Sequence, residues 1–180
     1  MIKQLKRQCL SALFILLAVD LALLHFTTAS PSELTTHLSR RLGNEIEVIK
    51  QLNWDEKIFI LYRNEKTHQL DVAWYKPNAL LFWRYSFDGE HQAAPHAHTN
   101  QCQTYQTKDY FIIWGANENL QASTLELILN QETFLENLSN KDYFLYVYNL
   151  NGVHPETIYC TFYDEQNKNI SPYFFESFFK

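Results

Sequence analysis

From Glu45 onward the chain alternates short apolar runs with turn-forming residues, a pattern that predicts strands rather than helices. In "EIEVIKQLNW" (45–54), Ile46 and Val48 alternate with Glu45 and Glu47. "KIFILYRN" (57–64) follows the acidic break Asp55-Glu56, and in "QLDVAWYK" (69–76) Leu70, Val72 and Trp74 share one face. "KPNA" interrupts again, because Pro77 lacks an amide hydrogen for a ladder and Asn78 accepts turn geometry. "LLFWRYSF" (80–87) then places Leu81, Trp83, Tyr85 and Phe87 on one side. Connections this short favour antiparallel neighbours, so a four-stranded meander is predicted.

The second half repeats the pattern. "KDYFIIWG" (108–115), "STLELILN" (123–130), "KDYFLYVYNL" (141–150) and "ETIYCTFYD" (156–164) read as strands. Leu125, Leu127 and Leu129 face one way, and so do Ile158, Cys160 and Phe162. Asn151-Gly152 and "EQNKN" are turn signals. The recurrence of "KDYF" at 108 and 141 is too short to establish a duplication. The aromatic tail from Tyr173 to Phe179 is expected to form an edge or core strand. Strands at this spacing point to a small β-sandwich or partial barrel.

A helix is predicted ahead of the meander, over "SPSELTTHLSRRLGN" (30–44). Ser30 can cap its start and Pro31 suits its first position, Leu34, Leu38 and Leu42 recur at helical spacing, and Gly43 can cap its end. Glu33 near the start and Arg40 and Arg41 near the end suit the helix dipole. The leucine stripe is a packing face for the meander.

The first thirty residues carry the signal for location. "MIKQLKRQCL" holds Lys3, Lys6 and Arg7 and no acid, and residues 9–26 are apolar apart from Ser11, Asp20 and His25. A basic head, an apolar run and the small polar residues "TTAS" have the layout of an export signal. The run matches the lower limit for crossing a hydrocarbon core of about 30 Å, and it exceeds the roughly 7–15 apolar residues of a cleaved signal. Basic residues flanking a span stay cytoplasmic, which places the rest of the chain outside. The reading is a retained anchor, with secretion after cleavage at Ala29 as the alternative. Cys9 precedes the run, so it is not positioned for lipid modification after a signal.

Charge narrows the partners. Lys3, Lys6, Arg7 and the lone acid Asp20 leave with residues 1–29, so the remaining chain holds twelve bases against nineteen acids, a net −7. Without a Lys/Arg run, an acidic chain is a poor match for nucleic acid, whose binding rests on neutralising phosphates. Nor does the sequence show a basic run for anionic lipid.

One stretch departs from the strand pattern. "GEHQAAPHAHTNQC" (89–102) gathers His91, His96, His98 and Cys102 where large apolar residues are scarce, and its composition predicts a polar loop extending to Thr107. His96 and His98 can point the same way on an extended segment, with His91 or Cys102 as further metal ligands. The spacing matches no compact zinc pattern with paired ligands. Pro95 stiffens one position, but Ala93, Ala94 and Ala97 offer little packing, so no preassembled closed metal site is expected. Cys102 and Cys160 are a candidate disulfide, although the strand pattern also places Cys160 as a buried thiol between Ile158 and Phe162.

No nucleophile elbow, H-E-x-x-H helix, phosphate loop or S-x-x-K is present in the sequence. "SFDGEH" (86–91) sets Asp88 and Glu90 beside His91, which reads as an exposed turn rather than an acid–base site. No enzyme and no cofactor are predicted.

The stretches "GANENLQASTLELILN" (115–130), "KDYFLYVYNL" and "TIYCTFYDEQNKNI", with "IFILYRNEKTHQLDVAWYKPN" before them, resemble small uncharacterised membrane-anchored extracytoplasmic proteins of Bacillus-type bacteria. The resemblance covers most of residues 45–170. It implies an N-terminal anchor, a meander and a sandwich-like C-terminal part, and it carries over no catalytic residue.

The expectation is therefore a mainly β (α+β) chain. Residues 1–29 form an anchor or signal, 30–90 a short amphipathic helix and the meander, 91–107 the histidine-rich loop, and 108–180 a small β-sandwich-like part. Its function is read as non-enzymatic binding or sensing at the cell envelope, with the membrane and a protein or envelope ligand as partners. The alternative is an envelope metal-binding or metal-dependent protein using His91, His96 and His98.

Overall fold

Three apolar interfaces organise the described residues, one under a helix and two between sheets. The structure is a computed structural model and describes residues 14–20, 22, 27–93, 100–117 and 121–175. The fold is mainly β, 51% strand, with antiparallel sheets that include a curled half-barrel.

The first sheet has the order β1-β5-β4-β3-β2, built from β1 (Thr28–Ala29), β2 (Ile46–Trp54), β3 (Lys57–Asn64), β4 (Leu70–Pro77) and β5 (Tyr85–His91). On its outer face lies the helix α1 (Leu34–Leu42), preceded by a 3-10 turn at Pro31–Glu33. Glu33 accepts the Ser30 N–H at 3.0 Å at the start of the 3-10 turn, and Gly43 ends the helix in the left-handed region at φ 66°, the C-cap expected from the sequence. Leu34 and Leu38 pack there on Ile58, Ile60, Tyr62, Ala73 and Tyr75.

On the other face, Phe59, Leu61, Leu70, Val72 and Trp74 meet Tyr110, Ile112, Trp114, Leu145 and Val147 of a second sheet. That sheet has the order β10-β7-β6, from β6 (Asn100–Gln106), β7 (Tyr110–Asn117) and β10 (Tyr143–Asn149). The two sheets curl toward each other at both margins. Arg63 donates to the Tyr143 hydroxyl at one margin, and His91 stacks on Tyr105 at 4.5 Å at the other. Trp114 is fixed between the sheets by its indole N–H, which donates to the Leu70 carbonyl at 2.8 Å.

The third interface joins the second sheet to a sheet of order β11-β8-β9, from β8 (Thr124–Leu129), β9 (Glu132–Asn137) and β11 (Ile158–Tyr163). Leu125, Leu127, Leu129 and Phe162 meet Cys102, Phe111, Ile113 and Phe144 there.

Several expectations are corrected. Residues 80–84 are not strand. The Asn78 side chain accepts the Leu80 and Leu81 N–H groups at 3.0 and 2.9 Å, and Asn78 N–H and the Arg84 carbonyl close the loop at 2.8 Å, so β5 starts only at Tyr85. Consequently "SFDGEH" is strand rather than turn. It pairs with β4 through a bulge at Asp88, and Gly89 lies under the Trp74 indole, where a Cβ would come within 2.4 Å of Cζ2. Part of the expected polar loop is strand as well, since β6 pairs with β7 along its whole length. In the tail, Tyr173–Phe175 are helical, within α2 (Pro172–Phe175), rather than strand, and residues 176–179 lie outside the described residues. Asn169 accepts the Ser171 N–H at 2.9 Å just before Pro172, and Phe174 stacks on Phe162 with centroids 3.9 Å apart.

The apolar run at 9–26 falls mostly outside the described residues. Within it, residues 14–20 are helical, with Phe14, Ile15, Leu16, Leu17 and Val19 exposed. Among the described residues no helix is long and apolar enough to cross a membrane.

Candidate functional site

Helix α1 covers a polar cluster on the outer face of the first sheet. Asp71 and Tyr75 of β4, Tyr62 of β3 and Glu90 of β5 gather there because alternate residues share a face and because Tyr62 pairs with Asp71 and Ala73 with Glu90. His37 of α1 reaches down, its Nδ1 hydrogen-bonded to the Tyr75 hydroxyl at 3.0 Å.

Asp71 is 1% exposed and accepts the Ala93 N–H at 2.8 Å. Burial pushes its carboxyl up to about 6, with the Glu90 charge adding to the rise and the Ala93 hydrogen bond opposing it. Burial, and then the nearby Asp71 and Glu90 charges, also raise the Tyr62 phenol. The Tyr62 hydroxyl and Glu90 Oε2 are buried without a hydrogen-bond partner among the described residues. A cluster of acids, phenols and an imidazole in this arrangement can take up and release a proton at Asp71 near pH 6.

Beside this cluster the chain enters the fold. Thr28 and Ala29 form β1 on the edge of β5, with Thr28 opposite Ser86 and Ala29 opposite Tyr85. Both are buried, at 2% and 1% exposure. Arg84 grips the entry, donating from Nε to Thr28 Oγ1 at 2.7 Å and from Nη2 to the Thr28 carbonyl at 2.6 Å. Arg84 also meets Glu33 at 3.3 Å.

A cleft of about 580 Å³ opens here, lined by Thr27, His37, Arg40, Arg41, Ser86 and Phe87, and Arg41 lies over the Phe87 ring at 3.9 Å. An adjoining cleft of about 180 Å³ runs between Arg40 and Arg84 past Thr28 and Glu33. The sequence has no basic run, yet the fold draws Arg84 to Arg40 and Arg41 across more than forty residues of chain. The packing of α1 on the sheet and the pairing of β1 with β5 create this neighbourhood, and neither leaves a signal in the local sequence around Arg84.

The metal-ligand set divides differently. His91 stacks on Tyr105 and meets Trp114 edge-on at 5.5 Å, in the interface between the first two sheets, and burial lowers its imidazole. Cys102 belongs to the opposite interface of the same second sheet. The backbone of β6 therefore separates His91 from Cys102, because Tyr105 and Cys102 differ by an odd number of positions. His96 and His98 lie outside the described residues. Among the described residues no group of three or more His, Cys, Asp or Glu side chains is placed to hold a metal ion.

Asp88, Glu90 and His91, neighbours in "SFDGEH", point to different surroundings. Asp88 joins Lys57 at 3.0 Å and Lys76 at 2.7 Å. Burial would raise its carboxyl, but these two lysines hold it below the usual range. Glu90 faces the helix, and His91 faces the second sheet.

Cys102 and Cys160 are brought together. They stand on β6 and β11, in facing sheets, both unbonded, with Cys160 packed against the apolar cluster that holds Cys102. Burial, and then the Cys160 thiol, raise the Cys102 thiol well above the ordinary range. Disulfide exchange with a small disulfide is expected to join them into an inter-sheet bridge and release the exchange partner as thiol. By the loop-entropy relation the bridge adds about 2–4 kcal/mol. Mass spectrometry of the oxidised protein should show a species lighter by two hydrogens with one Cys102–Cys160 peptide pair. Retention of both free thiols under oxidant would refute this.

No family model, no curated protein and no solved structure matches this chain.

Proposed function

We propose that this chain is a membrane-anchored extracytoplasmic protein whose β domain binds or senses at the cell envelope without catalysing a reaction. In this reading residues 1–29 are a retained tether, followed by the helix-covered meander and a sandwich-like part. The observation that carries it is β1. The residues directly after the apolar run are an integral edge strand, buried and gripped by Arg84. Cleavage after Ala29 would remove that strand and leave the half-buried Arg84 guanidinium without Thr28. Hydrogen bonds to a charged group contribute about 1.5–3 kcal/mol.

A chain beginning at Ser30 is accordingly expected to be about 2 kcal/mol less stable than one beginning at Thr27, a difference that denaturant titration reads directly. Equal midpoints would remove the support that β1 gives to a retained tether. The binding role draws on the buried cluster, whose Asp71 changes charge near pH 6 under a helix that borders the arginine cleft. Localisation tests the whole reading. Protease added to intact cells should digest the β domain while the protein stays in the membrane fraction, and a domain shielded until the cells are lysed would contradict it.

A further inference from the structure

The loop that replaces the first part of the expected strand 80–87 exposes three large apolar side chains, and it holds them in a fixed arrangement. Leu80, Phe82 and Trp83 are 75%, 81% and 57% exposed, and Phe82 and Trp83 stack edge-to-face at 4.8 Å. The loop is well closed. Asn78 Oδ1 accepts two of its N–H groups, Asn78 Nδ2 donates to Ser86 Oγ at 2.8 Å, and Arg84 N–H donates to the Leu81 carbonyl at 2.7 Å. Leaving most of this apolar surface exposed forgoes stability the fold would otherwise gain, so a loop this ordered points to a partner that covers it.

We infer that Leu80, Phe82 and Trp83 insert into the lipid interface of the membrane that holds the tether, with the arginine cleft facing the headgroups. This rests on the reading of residues 1–29 as a retained tether. Two observations favour a bilayer as the occupant. The first is where the chain enters. Arg84, the last residue of the loop, is hydrogen-bonded to Thr28, the first strand residue after the apolar run. Trp83 directly precedes Arg84, and the next residue, Tyr85, pairs with Ala29. A domain joined to its span without a linker rests against the bilayer, and interfacial groups bury about 5–10 Å into it. The second is charge. A domain of net −7 sets Arg40, Arg41 and Arg84 about the entry residues Thr27 and Thr28, against the acid Glu33 that pairs with Arg84. That is where phosphate headgroups would lie, and a tryptophan beside them sits at the level such side chains favour.

The full-length protein reconstituted into phosphatidylethanolamine–phosphatidylglycerol vesicles tests this. The Trp83 emission, taken as wild type minus Trp83→Phe, should be cut by about half or more by brominated lipid, and lipid should shield it from iodide. Phe82→Ser with Leu80→Ser should weaken both effects while the protein still floats with the vesicles. Protein that floats but keeps Trp83 open to iodide and unquenched by brominated lipid overturns the loop's role and leaves the tether intact. Protein that fails to float refutes the tether, and the inference falls with it. Shielding of Trp83 without lipid, in a species that sediments as a dimer, would assign the loop to a second copy and likewise overturn it.

Discussion

Gly115→Ala is expected to destabilise the domain by about 3 kcal/mol, lowering the melting temperature by roughly 6–12 °C. Gly115 lies in the middle of the second sheet, opposite Cys102 on β6 and Phe144 on β10. A Cβ there would sit 1.9 Å from the Gln101 carbonyl oxygen and 2.6 Å from the Phe144 ring. The nearest obstacle is backbone, which cannot rotate aside, so the strands must separate or the ring must leave its place. Gly43→Ala provides the contrast. Its Cβ would meet nothing within 4 Å, and the cost is that of the left-handed conformation alone, about 1 kcal/mol. Thermal or denaturant unfolding of the two variants checks the ordering, and a Gly115→Ala protein as stable as Gly43→Ala would show that β6 and β7 are not packed as described.

Asp71→Asn is expected to stabilise the fold at pH 8 by about 3 kcal/mol. Asp71 has a carboxyl raised to about 6 from an ordinary 3.8. The folded protein therefore binds this proton more tightly than the unfolded chain. The contribution of this group to stability is fullest below about pH 4 and is lost as the pH rises through 6, so at pH 8 the protein carries a buried carboxylate at a cost. Asparagine keeps the oxygen that accepts the Ala93 N–H and removes the charge. Its advantage should shrink between about pH 6 and pH 4 and vanish below. The groups facing this site are Glu90, Tyr62 and Tyr75 from the sheet and His37 and Arg41 from α1. Melting curves of both proteins across that range decide it. Destabilisation of the Asp71→Asn variant at pH 8 would mean that the carboxylate is held by a favourable partner in the native state.

Much of this fold was legible as alternation. Leu70, Val72 and Trp74 on one face, and Leu125, Leu127 and Leu129 on another, were legible because side chains two apart on a strand share a face, although β4, unlike β8, is buried on both sides. The capping of α1 was equally local. The failures share a cause. "LLFWRYSF" has strand composition throughout, but Asn78 bends the chain through its own side chain and turns the most hydrophobic part into an exposed loop. β6 has loop composition, but pairing with β7 overrides it, since Cys102 and Tyr105 find apolar interfaces on opposite sides. β9 carries Glu132, Glu136 and several polar positions and gave no strong pattern. It is held by its ladder to β8.

The candidate site was less legible than the fold. Asp71 read as one polar residue in an apolar strand, and its acidic neighbour Glu90 lies nineteen positions away on β5. Counting thiols made Cys102 and Cys160 a candidate pair, but their placement on facing sheets depends on how two sheets stack. The arginine cleft depends on a two-residue strand that no periodicity announces.

The N-terminus of the mature protein bears most directly on the proposed tether. If β1 is part of the folded domain and residues 1–29 tether it, protein extracted from membranes should give an intact mass that includes the entire N-terminal segment, with Thr28 and Ala29 protected from amide exchange. A mature protein found free of the membrane and beginning at Ser30 would contradict it.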